Sequence, residues 1–507
     1  MKKKNTMINL IAAIIAFSAN IIINFFLSPY IIKHVGVEAY GFFSLANNFV
    51  MYISVVTLAI NSMAGRFITI SVHRENLYQA NRYYSSVFIS NLILSLILLM
   101  MVVPIIYNLE DFLQISSEIE LDVKFLFLLV IINFFVDMIL SIFSVSYIIK
   151  NQLYISSVIQ IKANFIKLAF TLVLFYFYEP HIFYLGVGIL LATLFTRIYD
   201  IYYKNKLIPE LVIKKVYFNW LSCKEMISSG IWNTITRLGN ILSGNLDLLI
   251  VNLYLTATDM GILAISKMIP NLLNTITGIL ANVFIPNFLE LFAKNKYQEM
   301  ILEIKRSMRI FSLMLSMPLV IILSYGEEFF RLWLPTQNAS QLYILSILSL
   351  IAIIIIGPVA VMHNIFTVVN KIKINSLLVV FTGLINTVCA LLILKYTSWG
   401  LIAIVVLTSG LSLIRNLLYT VPYGAIYLKC KWYTFFPVLI KSCICIISVS
   451  FMGSFFKNFF IIDTWLKFFI LSVVLLILNT IMQYKIIFDK DERLYLINKI
   501  KIKFNIK

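Results

Sequence analysis

The chain has 507 residues, of which 61% are hydrophobic and only 13% charged, with a mean hydropathy of +0.93. A soluble domain carries about a quarter of its residues as charges, so this composition excludes one and points to an integral membrane protein. The formal charge of +18 does not imply a nucleic-acid partner, because the excess lies in short stretches between apolar runs, the pattern that keeps Lys and Arg in cytoplasmic loops.

Met1-Lys2-Lys3-Lys4 followed by an apolar run resembles a secretory n-region. That run continues past Tyr30 with no small-x-small cleavage site, so it is expected to remain as a first span. At about 20 apolar residues per crossing, fourteen spans are predicted: 8–32, 40–64, 86–108, 121–147, 158–178, 182–203, 227–254, 260–288, 307–325, 341–368, 374–394, 400–427, 435–456 and 465–486. An even number puts both termini on one side. The basic start and the tail with Lys490, Arg493, Lys499, Lys501, Lys503 and Lys507 assign that side to the cytoplasm. Arg66, Arg74 and Arg82, then Lys204 to Lys224, then Lys294 to Arg306, then Lys371, Lys373, Lys429 and Lys431 fall inside on the same assignment. Glu110, Asp111, Glu118, Glu120, Asp122, Glu179, Glu327 and Glu328 fall outside. Five cysteines in apolar segments or basic loops have neither metal spacing nor a disulfide framework, and are read as free thiols.

The two halves read as copies. Gly41 and Gly261 open the second and eighth spans 220 residues apart. Asn76-Leu77-Tyr78-Gln79 recurs as Asn295-Lys296-Tyr297-Gln298, and Glu110-Asp111-Phe112 as Glu327-Glu328-Phe329. Asn151, Ile155 and Ser157 match Asn370, Ile374 and Ser376, and Arg197 matches Arg415. Five matches in order at nearly constant offset predict an all-α polytopic protein: two six-helix lobes in parallel, pseudo-twofold repeat plus two C-terminal helices. The expected domains are an N-terminal lobe over 1–203, a cytoplasmic linker over 204–226, a C-terminal lobe over 227–427, two extra helices over 428–486 and a basic cytoplasmic tail over 487–507.

The seventh span carries charge where lipid would not tolerate it. Asn233, Arg237, Asn240, Gly244 and Asp247 recur at steps of 4, 3, 4 and 3, which holds them on one helical face. An arginine at bilayer depth costs about 2.5–3.5 kcal/mol on insertion scales, so this face should see water, a polar ligand or an opposite charge. The alternative is an ion pair that only holds the bundle together. Asn20, Asn24 and Ser28 form a stripe on the first span, Asn47, Ser54 and Asn61 a thinner one on the second, and Lys267, Asn271, Asn274 and Gly278 one on the eighth. Together these four spans would line a water-filled cavity, its amides suited to hydroxyl-rich ligands and Arg237 and Lys267 to an anion. The other reading of an Asn stripe is interhelical hydrogen bonding, worth about 0.6 kcal/mol on average. Asp137 and Lys167 share a depth on neighbouring spans and are expected to pair. Lys441 is read as the only buried charge of the last two spans, and the Glu327-to-Pro335 stretch as an interfacial aromatic anchor. No phosphate loop, nucleophile elbow, HExxH or paired acidic motif is present.

Several of these residues resemble the bacterial polysaccharide-repeat-unit flippases of O-antigen and capsule assembly (Wzx type), in the superfamily shared with lipid II flippases and multidrug exporters. The resemblance is carried by Tyr40-Gly41, Asn245-Leu246-Asp247, Met260-Gly261 with Pro286, the segment around Trp333, and Asn370-Lys371; Pro335 departs from the glycine usual after that segment. It implies flipping of an undecaprenyl-diphosphate-linked oligosaccharide across the bacterial inner (cytoplasmic) membrane by alternating access, for surface polysaccharide biosynthesis. Arg237, Lys267, Asn20, Asn24, Asn233, Asn240, Asn271 and Asn274 are the candidate substrate-binding residues, and Asp247 and Asp137 the candidate ion-coupling carboxylates. No cofactor, metal or nucleic acid is expected; a proton or sodium gradient is an available drive. The expected partners are the lipid-linked oligosaccharide and membrane lipid, with the protein a monomer able to associate with polysaccharide assembly proteins. Two other classes stay open: a cation-coupled multidrug or small-molecule exporter, which would show twelve spans and an acidic cavity, and a membrane enzyme such as a polymerase or acyltransferase, which would show a large outer loop or a His/acid motif.

Overall fold

Segments this apolar must satisfy their backbone internally, and helices do so without help from a neighbour. The computed structural model describes residues 2–488 and Arg493, with the side chains of 2–7 and Leu10 left aside; the rest of the basic tail, including Lys490, Lys499 and Lys507, lies outside the described residues. Among those described, every regular element is helical, and twelve helices are long and apolar enough to cross a membrane. Two features raise that number to the fourteen spans read from the sequence. The first helix, Lys2–His73, bends at Gly36, whose φ of 85° and ψ of 170° only glycine adopts freely. Its apolar part, Ile11–His73, has 63 residues, about 95 Å at 1.5 Å per residue and far more than one crossing of about 30 Å. The outer loop expected between 32 and 40 is therefore a kink rather than a loop. The seventh span is the other case, assembled from Trp220–Asn240, Ile241–Asn245 and Asp247–Tyr254.

The repeat is written into the turns. Glu75 (φ 59°) and Asn295 (φ 56°) are both left-handed. In each turn two successive N–H groups close onto the preceding helix: Glu75 and Asn76 onto Val72 and Ser71, Asn295 and Lys296 onto Phe292 and Leu291. Asn151 (φ 53°) and Asn370 (φ 55°) do the same before Leu153–Phe177 and Ile372–Tyr396. This is the glycine-type helix stop, with asparagine as the tolerated substitute. The structural offset at the first turn is 220, so Asn295 matches Glu75 rather than Asn76.

By packing, the chain divides into two compact units, 1–264 with 379–383, and 265–378 with 384–507. The six-helix lobes 1–203 and 227–427 describe the repeat rather than this packing, and remain a proposal about domains. In the first unit the linker after Phe183–Leu207 is pinned along Leu77–Tyr107. Asn81 donates to the Glu210 carbonyl (3.2 Å) and accepts from the Val212 N–H (2.8 Å). Ser85 and Ser86 bridge Val212, Lys214 and Asn219 in the same way, and the Tyr83 hydroxyl donates to Glu225 (2.6 Å). Beneath this strap Ile60, Ile68, Tyr84, Val145, Leu211 and Met226 form a buried apolar cluster.

In the second unit the last two spans, Phe436–Phe456 and Trp465–Ile486, pack on Tyr297–Trp333 through a buried polar seam. Ser312 bonds Ser442 and donates to Gln483 (3.2 Å), and Asn479 donates to Ser316 (2.8 Å). Lys441 is exposed, not buried; its stem lies on the outward face of the span. Trp333 is also unlike the expectation. It is buried beside Phe329, the ring centroids 5.3 Å apart, at the end of Tyr297–Trp333, where Lys457 also pairs with Glu328 (2.8 Å).

Candidate functional site

The seventh span starts where Asn219 caps it, its side chain accepting from the Ser222 N–H (3.0 Å). Gly230 then lets two backbones meet. A methyl group there would stand 2.1 Å from the Ala59 carbonyl oxygen of the second span, an approach that any other residue prevents. One turn later Asn233 donates to Ser62 (3.4 Å). Arg237 follows half-buried, and among the described residues no acceptor or carboxylate engages its guanidinium. Asn240 is exposed. Asn233, Arg237 and Asn240 thus share one face of Trp220–Asn240, as their spacing predicts.

The stripe ends at Asn240. Ile241–Asn245 is a single π-helical turn, closed by the Leu246 N–H on the Ile241 carbonyl (3.1 Å), and Gly244 leaves helical geometry. Each extra residue in such a turn rotates everything after it, so Gly244 and Asp247 do not continue the face of Arg237. Asp247 is fully buried and opens Asp247–Tyr254. The carbonyl of Asn245 is met by the second span, from Asn48 Nδ2 (3.0 Å) and the Tyr52 hydroxyl (2.6 Å). Ser243-Gly244-Asn245 inside an apolar run was the available signal for this break.

Asn20 and Asn24 face the fifth span. Lys167 donates to Asn24 Oδ1 (3.2 Å), Asn24 to Asn20 Oδ1 (3.0 Å), and Asn20 to Asn164 Oδ1 (3.4 Å). The expected pair of Asp137 with Lys167 is therefore absent. Asp137 accepts instead from Arg197 Nη2 (2.6 Å) and Nε (3.1 Å), and the same guanidinium bonds Asp200, which also accepts from Tyr147 (2.9 Å). Equal depth on adjacent helices was a weaker criterion than reach, and the planar fork of Arg197 serves two carboxylates where an ammonium would serve one. The thin stripe on the second span is spent inside the protein: Asn47 and Ser54 donate to the Phe43 and Met51 carbonyls of their own helix, and Asn61 accepts from Asn91 of Leu77–Tyr107 (2.9 Å).

The eighth span is jointed at Lys267, between Ala257–Ser266 and Met268–Asn282. Lys267 is half-buried, and Asn271, Asn274 and Gly278 are exposed along one face. These residues belong to the second unit, whereas Asn233, Arg237 and Asn240 belong to the first. Within the first unit Gly41 meets Gly261, its repeat counterpart: a methyl on Gly41 would lie 2.8 Å from the Gly261 Cα. Such a self-matched contact is what a twofold-related pair of elements makes at its axis. Among the described residues no group of three His, Cys, Asp or Glu could hold a metal. In the turn after Leu77–Tyr107, Lys124 (2.6 Å) holds the Glu110 carboxyl below its usual range by hydrogen bonding.

A family model described as polysaccharide biosynthesis protein matches residues 3–292. A relative, the uncharacterized membrane protein EpsK of Bacillus subtilis (strain 168), is 25% identical over 417 residues, 82% of each chain. The fold resembles that of an inward-facing multidrug resistance MATE family transporter of the MOP superfamily (TM-score 0.66, 12% identity, 82% of this chain and 98% of that one). It also resembles the lipid II flippase MurJ in its inward closed conformation (TM-score 0.61, 14% identity, 95% of this chain and 98% of that one).

Proposed function

This chain belongs to the polysaccharide biosynthesis protein family, and we propose that it flips an undecaprenyl-diphosphate-linked oligosaccharide across the bacterial cytoplasmic membrane by alternating access. The observation that carries this reading is Arg237: a cation inside a membrane span, flanked by Asn233 and Asn240, with no carboxylate of the described residues upon it. Such a charge is costly in lipid and is offset by an anionic ligand. Its planar fork suits the oxygens of a diphosphate, and the flanking amides suit sugar hydroxyls. Lys267, with Asn271 and Asn274 exposed along one face of the eighth span, supplies a second cation among amides.

The lipid tail needs an apolar path. Ile440, Ile444, Ile447 and Phe451 on the thirteenth span and Phe469, Ile470, Val473 and Ile477 on the fourteenth are exposed, and we assign them to it. Asp247, fully buried at the break of the seventh span, and Asp137, held by Arg197, are the coupling candidates. The uncompensated cation favours this reading over an exporter of cationic drugs, which needs an acidic cavity, and over an enzyme, which needs a reacting constellation. Both termini are assigned to the cytoplasm. Cysteines at Ser117 or Asn338, both exposed, should then react with an impermeant thiol reagent from outside, and those at Asn76 or Asn295 should not.

Proteoliposomes holding the full chain and a fluorescent polyprenyl-diphosphate oligosaccharide test the function. Loss of inner-leaflet probe faster than in protein-free vesicles is expected. Equal rates with and without protein, under proton and sodium gradients alike, would remove the proposal.

A further inference from the structure

The fifth span carries a charge that the function above does not absorb. Asn164, Lys167 and Thr171 are spaced 3 and 4 apart and share a face. The face is directed at Asn20 and Asn24 of the first span through the relay Lys167 to Asn24 to Asn20 to Asn164. An ammonium has three N–H donors, and Asn24 takes one; among the described residues no carboxylate lies within ion-pair distance of Lys167. The Asn164 amide nitrogen and the Thr171 hydroxyl are buried without a hydrogen-bond partner. Gly188 of the sixth span seats the lysine: a methyl there would stand 2.9 Å from Thr171 Oγ1 and 3.6 Å from Lys167 Cγ. Lys167 and Asn24 are each only half-buried.

The groups left over are mostly donors: two ammonium hydrogens, the Asn164 amide, and a hydroxyl able to act either way. A set of that kind complements a ligand that only accepts, and the smallest such organic group is an ionised carboxylate with two oxygens. A diphosphate, with its larger charge, is better served by the planar fork of Arg237. We propose that the site formed by Lys167, Asn24, Asn20 and Asn164 takes the carboxylate of an acidic sugar in the transported oligosaccharide, which makes the substrate class an anionic glycan and Lys167 the residue that selects it. The assignment rests on the flippase reading and adds a second recognition point to it, separate from the diphosphate.

The two sources of negative charge, sugar and lipid phosphate, are separated by two probes: a polyprenyl-diphosphate disaccharide ending in glucuronic acid, and the same molecule ending in glucose. Wild-type protein in proteoliposomes should move the uronate probe about tenfold faster, the scale of one charge-assisted hydrogen-bonded contact. Lys167→Gln should bring the uronate rate down to the glucose rate and leave the glucose rate unchanged. Asn164→Ala, which leaves the Lys167–Asn24 bond in place, should remove part of the preference. Equal wild-type rates for the two probes, or a Lys167→Gln variant that slows both alike while the Asn164→Ala variant keeps the full preference, overturns the site while leaving the flippase reading standing. A wild-type protein that moves neither probe contradicts both.

Discussion

Arg197 and Arg237 are two arginines within membrane spans, and their surroundings are opposite. Arg197 is fully engaged: Asp137 lies at 2.6 Å, Asp200 is bonded to the same guanidinium, and Tyr147 completes the group. Arg237 stands on an amide-flanked face with none of these partners. The first arrangement cements the first unit, because a charge so enclosed cannot be left unpaired. The second holds a cation ready for something that is not part of the chain. The same contrast runs through the repeat. Arg415, the counterpart of Arg197, lies near His363, whose ring is hydrogen-bonded to Asn416, and among the described residues no carboxylate pairs with it, so the repeat shares an arginine but not its neutralising partners.

The comparison breaks most visibly at Arg197. Arg197→Ala leaves Asp137 and Asp200 facing each other without a cation and should cost about 3–5 kcal/mol of stability, read as a collapse in membrane abundance and a lower detergent melting temperature. Adding Asp137→Asn and Asp200→Asn should recover much of the loss. No recovery in the triple variant would mean that the cluster acts by packing rather than by charge.

Gly230→Val sharpens the other side. Its side chain would meet the Ala59 carbonyl, pushing the seventh span off the second at a cost of about 1–3 kcal/mol, and transport should fall further than stability because Arg237 moves with the helix. A variant with wild-type transport would show that the register of these spans does not position Arg237. The smallest effect is expected at Tyr52→Phe. Asn48 still bonds the Asn245 carbonyl, so the change should cost about 0.6 kcal/mol in thermal stability. A loss several times larger would make the π-turn the weak point of the span.

Much of the fold was legible because the lipid solvent demands it. Apolar length gave the spans, and left-handed asparagines at the helix stops, Asn151 and Asn370, carry the repeat that sequence spacing announced. The bends were not legible. A lone Gly36 between two apolar runs reads as a loop tip, yet a single positive φ there joins two spans into one bent helix. The periodicity around Arg237 was read too far, since a period of 3.6 cannot register the extra residue of the turn over Ile241–Asn245. The site was half legible. Asn233, Arg237 and Asn240 fall together as spaced, but Asn20 and Asn24 turn to Lys167, and Arg197, noticed only as a repeat marker, is what Asp137 binds. Side-chain reach across helices is set by packing, and one-dimensional spacing does not contain it.

The measurement closest to the central claim is the flipping rate of Arg237→Ala against wild type at equal inserted amounts. Because Arg237 is engaged by no carboxylate of the described residues, its removal should leave abundance and thermal stability unchanged. The rate should fall by the equivalent of about 2–5 kcal/mol, roughly thirtyfold or more, with Arg237→Lys intermediate. A correctly inserted alanine variant that flips at the wild-type rate would contradict the assignment of Arg237 to the diphosphate.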